Sequence, residues 1–252
     1  MDPRKALYQF CLRLADSSSI LGHRLGEWCG HGPVLEQDIA MTNIALDLIG
    51  QARNYYQYAA KIDGAGKTED DLAYLREGGE YANYLLLEQP NGDFAMTIVR
   101  QYLFDVYHRL FLEGMSKSSD LELQAFAVRH LKEVQYHAKW SGGWVERLGD
   151  GTPESFKRTQ MAIDNLWRFT GEFFKSDEID REMHSLGIAP DLAALENDWK
   201  EEVTSLFNRL KLLVPNTPWM LTGGKTGSHT EHLGYILAEM QLLQRTHPGL
   251  QW

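Results

Sequence analysis

The chain has 252 residues, 43% hydrophobic and 24% charged, a balance that describes an ordinary globular protein with material for a sizeable core. Its formal net charge of −10 argues against nucleic acid or an anionic membrane surface as a partner, and no apolar run is long enough to span a bilayer. The start MDPRKALYQF lacks the basic-then-apolar form of a signal peptide, and Cys11 and Cys29 have neither metal spacing nor a disulfide framework, so a cytoplasmic protein with reduced thiols is expected.

Asp2 and Pro3 read as cap and first residue of a helix carried by Leu7, Phe10, Leu14, Leu21, Leu25 and Trp28, with a dent expected at Ser17–Ser19. After the break at Gly30–Pro33 comes the stretch around which the chain is organised, Asp38 to Ile62. Met41, Ile44, Ala45, Leu48, Ala52, Tyr55, Ala59 and Ile62 fall on one face at helical spacing, and Asn43, Asp47, Gln51, Asn54 and Tyr58 form a polar stripe beside it. Leu46 and Ile49 lie off both, which predicts a helix covered on several sides. A buried Asp47 would then need a metal, a cation or hydrogen-bond donors.

Asp63–Lys67 is a loop, and Thr68 with Asp71 has the form of a capping box for a shorter helix that Gly78-Gly79 interrupts. Glu88–Asp93 is a turn from which Asp93 caps a strongly apolar helix to Met115. Ser119 or Asp120 caps the next, to Leu148, and Thr152-Pro153 opens one running through Met161, Leu166, Phe169 and Phe173. Helices over 192–213 and 230–245 complete the set. No segment alternates with period two for long, so the chain is expected to be all-α, an antiparallel bundle of long helices.

Carboxylates inside a helical bundle invite comparison with di-iron sites, which use Glu-x-x-His so that both ligands share a helix face. None of the nine histidines has Glu three residues before it; only His108 finds an acid there, Asp105. A shortened ligand motif is one reading of Asp105-x-x-His108, and a buried ion pair, or one residue in and one out, is the plainer one. Glu133 and His137 share a face at i,i+4, which suits a metal or a surface pair, while Val134 stands where a ligand carboxylate would be needed. Gly223–Thr226 suggests a phosphate loop, but that motif needs glycine where Trp219 stands. His229, Glu231 and His232 read as a capped helix start.

Three stretches, GEWCGHGPVLEQDIAMTNIALDLIGQARN, LEQPNGDFAMTIVRQY and GGKTGSHTEHLGYILAEMQLLQRTHPGLQW, resemble the C-subunit family of the bacterial phenylacetyl-CoA 1,2-epoxidases, ring-hydroxylating oxygenases of phenylacetate catabolism. The resemblance implies a single ferritin-like domain over 1–252, a four-helix bundle with additional helices. It also implies a non-catalytic, structural member of a multicomponent monooxygenase. In such complexes a related A subunit holds the di-iron centre, a B subunit helps assembly, and a reductase with flavin and iron–sulfur groups supplies electrons from NADPH. A homodimer stays open.

Carried over by position, Asp47, Asp105, His137 and His23 fall on relic ligand positions and Val134 is the departure, so a metal-free polar cluster with no cofactor of its own is expected, with Arg24, Arg53 or Arg129 turning inward. The alternatives are an oxygenase in its own right with an atypical Asp/His iron site, and an all-α metal store.

Overall fold

The computed structural model describes residues 2–250, so Met1, Gln251 and Trp252, part of the expected domain and of the third matching stretch, lie outside the described residues. Among those residues there is no strand, and the all-α expectation holds: α1 (Pro3–Gly26), α2 (Leu35–Asp63), α3 (Glu69–Tyr74), α4 (Phe94–Met115), α5 (Leu121–Gly149), α6 (Pro153–Leu166), α7 (Glu178–Ser185), α8 (Leu192–Arg209), α9 (Glu231–Met240) and α10 (Leu242–Thr246). They group into two compact units, one of residues up to 90 together with those from 223 onward, the other of 91–222.

In the first unit α1 and α2 lie antiparallel. Arg4 near the start of α1 donates to the Ile62 carbonyl near the end of α2 at 2.5 Å, and Tyr56 on α2 donates to Asp16 on α1 at 2.6 Å. Asp2 caps the Arg4 amide as its sequence suggests. The expected dent is absent: Ser17, Ser18 and Ser19 are helical and buried, because short side chains admit close neighbours without removing a backbone bond.

Helix α2 starts three residues before Asp38. Asp38, in the first turn, reaches back to accept from the Gly32 amide at 2.9 Å. The predicted apolar face is buried from Met41 to Ala59, joined by Gln51 and Tyr56, and Ile62 is half-buried. The expectation of cover on several sides fails at Leu46, which is 64% exposed, and Ile49 is half-buried. Both halves of the Thr68–Asp71 capping box form, at 2.7 and 3.2 Å, and the short α3 follows.

In the second unit α4 and α5 are antiparallel, with Phe94 edge-on to Trp144 (5.2 Å between centroids) at one end and Asp105 bonded to Ser141 further along. Asp93 and Asp120 cap them as expected. Beyond Leu166, α6 tightens into a 3₁₀ segment, Trp167–Phe174, instead of continuing as an α-helix. The change of pitch places Phe173 flat against Tyr107, centroids 4.5 Å apart, with Phe174 and Trp199 around it. Trp199 on α8 donates to the Leu103 carbonyl of α4 at 2.9 Å, tying the two helices. Helix α8 ends at Arg209 rather than 213, where Lys211 takes a positive φ of 62°. Helix α7 was not anticipated from the sequence, because its eight residues carry five charged or histidine side chains; a capping box at Asp177 and Asp180 starts it.

Candidate functional site

The second unit holds a polar cluster in an apolar interior. Asp105, on α4, is fully buried; its Oδ1 accepts from Gln101 Nε2 at 2.7 Å and its Oδ2 from Ser141 Oγ of α5 at 2.8 Å. Burial pushes its carboxyl up to about 6, against the opposing pull of His137, Ser141 and Gln101. His137 is buried on α5 one turn before Ser141, and Val134, also fully buried, presents only an isopropyl group one turn earlier still.

His108 shares the face of Asp105 but not its company. Its ring lies on Phe104, centroids 5.0 Å apart, and its Nδ1 has no hydrogen-bond partner among the described residues. Burial drives its pKa down to about 3, so it is neutral. Asp105 and His108 are therefore neither an ion pair nor one in and one out. Glu133 lies 3.1 Å from the Nδ1 of His130, three residues before it on the same helix.

The remaining positions belong to the first unit. Asp47 is half-buried, not enclosed, because α2 turns Leu46 outward beside it. His23 on α1 keeps a buried Nε2 without a hydrogen bond among the described residues, and burial lowers its pKa. Of the arginines expected to turn inward only Arg24 is buried, and its bonds to Glu88 and Glu27 are made within the first unit rather than with Asp105. Arg24 donates to the Glu88 carbonyl at 2.8 Å and pairs with Glu27 at 2.7 Å; Arg53 is largely exposed against Glu69, and Arg129 is exposed. The buried Arg24 has its charge balanced by Glu27, whereas Arg53 and Arg129 keep their hydration.

A dinuclear iron centre needs several carboxylate and imidazole lone pairs converging. Here each Asp105 oxygen already accepts a protein hydrogen bond, which leaves it one lone pair, and Val134 has none. Within either unit, no three His, Cys, Asp or Glu side chains among the described residues are arranged to hold an ion. This donor set does not fit such a centre.

Sequence reasoning missed a second polar cluster, in the first unit. Glu88, fully buried, accepts from the Thr230 amide (2.6 Å), the Thr230 hydroxyl (2.7 Å) and Asn83 Nδ2 (3.0 Å), and lies 2.9 Å from His229 Nδ1. It caps α9 from outside the helix. Partners 141 residues apart leave no local signal. Gly224–Thr226 is a single 3₁₀ turn with Lys225 buried, which suits the rejection of a phosphate loop.

The family model described as "Phenylacetic acid catabolic protein" matches residues 1–252. The chain is also 50% identical over 246 residues to the C subunit of the 1,2-phenylacetyl-CoA epoxidase of Escherichia coli (strain K12), covering 98% of this chain and 99% of that protein. The buried polar positions on α4 and α5 thus sit in a ferritin-like framework, and the chain belongs to the phenylacetic acid catabolic protein family.

Proposed function

We propose that this chain is the C subunit of a phenylacetyl-CoA 1,2-epoxidase, a structural partner that contributes no catalytic group and pairs with a related di-iron A subunit. The observation that carries the non-catalytic part is Asp105, whose two oxygens are held by Gln101 and Ser141 while Val134 occupies the next ligand position. The rival reading, an oxygenase with its own Asp/His iron site, would have to hold iron through the lone pairs that Gln101 and Ser141 leave on Asp105 and would still lack a carboxylate at 134. The remaining parts of the reading are a single ferritin-like domain over 1–252, a cytoplasmic location, and a complex completed by a B subunit and an NADPH-dependent flavin and iron–sulfur reductase. No helix among the described residues is long and apolar enough to cross a membrane, which accords with it.

The outer side of α2 supports an interface with a partner. Leu35, Ile39 and Leu46, spaced by four and seven, are 72%, 50% and 64% exposed, and water-facing aliphatic side chains along one helix are the material of an interface core. Leu46→Glu is expected to leave the isolated chain's stability within about 0.5 kcal/mol, since the position is exposed, while sharply reducing recovery of a catalytic relative in co-purification. Unchanged recovery with Leu35→Glu added would remove this face from the reading. Release of the relative together with loss of phenylacetyl-CoA turnover supports it.

A further inference from the structure

The stretch from Gly223 to Thr246 folds back onto residues 77–89 of the same unit, and its backbone comes unusually close. A Cβ on Gly224 would stand 2.2 Å from the Asn83 carbonyl oxygen, and one on Gly227, where φ is +81°, 2.2 Å from that of Gly79. At the other end Gln241 Nε2 donates to the Arg76 carbonyl and the Tyr81 hydroxyl, both at 2.9 Å, and Arg245 reaches Glu77 at 3.0 Å. His229 lies between these two attachments.

Its ring is set between two acceptors: Nδ1 is 2.9 Å from Glu88 Oε2 and Nε2 is 2.9 Å from the Tyr81 carbonyl oxygen. A neutral imidazole has one N–H and one lone pair, so it satisfies one of these contacts and opposes a lone pair to a lone pair at the other. The charged ring satisfies both. A protonated Glu88 donating to a neutral ring would hold the same proton, although the three other donors on Glu88 favour the carboxylate.

The surrounding charges do not undo this. Asp16 on α1 is neutralised by Arg76, and Arg24 on α1 is occupied by Glu27 and by the main-chain oxygen of Glu88. Lys225 lies 5.9 Å from the Tyr84 ring and its carbonyl accepts from Arg13, while Glu231 and the half-buried His232 begin α9 beyond Thr230. We propose that residues 223–246 form a strap latched onto the 77–89 segment by the proton shared between His229 and Glu88, closed while that proton is held and loosened when it leaves. Burial alone would lower the pKa of His229, but Glu88 and the Tyr81 carbonyl outweigh it and leave it raised. The latch is therefore complete below the ordinary imidazole range and is lost as pH rises through the raised value.

The test uses the full chain: the ring ¹⁵N signals of His229 and the amide-exchange protection of the strap are followed from about pH 6 to about pH 9, with intrinsic exchange rates divided out. Two protonated ring nitrogens are expected near neutrality. Strap protection should fall by up to about tenfold per pH unit above the His229 pKa, and His229→Gln should give a weaker strap without that slope. Should that variant fail to fold, Thr230→Val, which keeps both titrating groups, should weaken the strap and retain the slope. A neutral ring at about pH 6, or protection with no slope in the wild type or in Thr230→Val, overturns the proposal.

Discussion

Replacing Asp16 by alanine is expected to lower the stability of the chain by about 3–5 kcal/mol, the cost of stranding a buried guanidinium. Asp16 Oδ1 accepts from Arg76 Nη2 and from the Tyr56 hydroxyl, and Oδ2 from Arg76 Nη1 at 3.2 Å and from the Ala82 amide at 2.8 Å. The aspartate is fully buried and Arg76 nearly so, its guanidinium 4.3 Å from the centre of the Tyr81 ring. One carboxylate thus joins α1, α2 and the segment after α3. Tyr56→Phe, which removes a single neutral donor, should cost only about 1 kcal/mol. Urea unfolding of both variants checks the pair; an Asp16→Ala loss no larger than that of Tyr56→Phe would mean the ion pair is not holding the unit together.

Below neutrality the chain should lose stability through His108, with Asp105 working in the opposite direction. The folded state keeps His108 neutral until about pH 3, whereas an unfolded imidazole takes its proton near 6.5, so acid favours unfolding across that window. Asp105 is raised from 3.8 to about 6, so the folded state binds that proton first and gains stability as pH falls between those values. At 1.36 kcal/mol per unit the histidine effect is roughly 5 kcal/mol and the aspartate effect about 3, so the histidine wins. His108→Phe should flatten or reverse the acid loss, since its Nδ1 gives up no hydrogen bond and its ring already lies on Phe104. Asp105→Asn should steepen the loss and raise stability at neutral pH. Urea midpoints measured at several pH values distinguish them; three superimposable curves would contradict the assignment.

Local chemistry made much of the fold legible in the sequence. Asp2, Asp93, Asp120, Thr68 and Thr152 each cap the helix they appear to cap, because a cap is decided by residues within one turn of it. The start of α2 was less legible: the helix begins on the exposed Leu35, three residues before the Asp38–Ile62 stretch, and the Asp38 side chain serves Gly32 six residues back. The pitch change at Trp167 follows from aromatic packing against α4 and α8, which no window of sequence contains. Within the site, the absence of Glu-x-x-His was visible by inspection and Val134 named the gap, but the partners of Asp105 were not. Gln101 is a turn away on its own helix and Ser141 stands 36 residues on, and both look like ordinary polar residues until α4 and α5 are laid antiparallel. The pairing of Glu88 with His229 was invisible, since only tertiary structure brings the turn and the helix start together.

On the proposed reading, the interior carboxylate Asp105 serves Gln101 and Ser141 and holds no iron. The most direct measurement is the iron content of this chain, purified free of other chains, reloaded with ferrous iron and dialysed against chelator. No stoichiometric iron should remain on it; iron retained in stoichiometric amount by this chain would contradict the account.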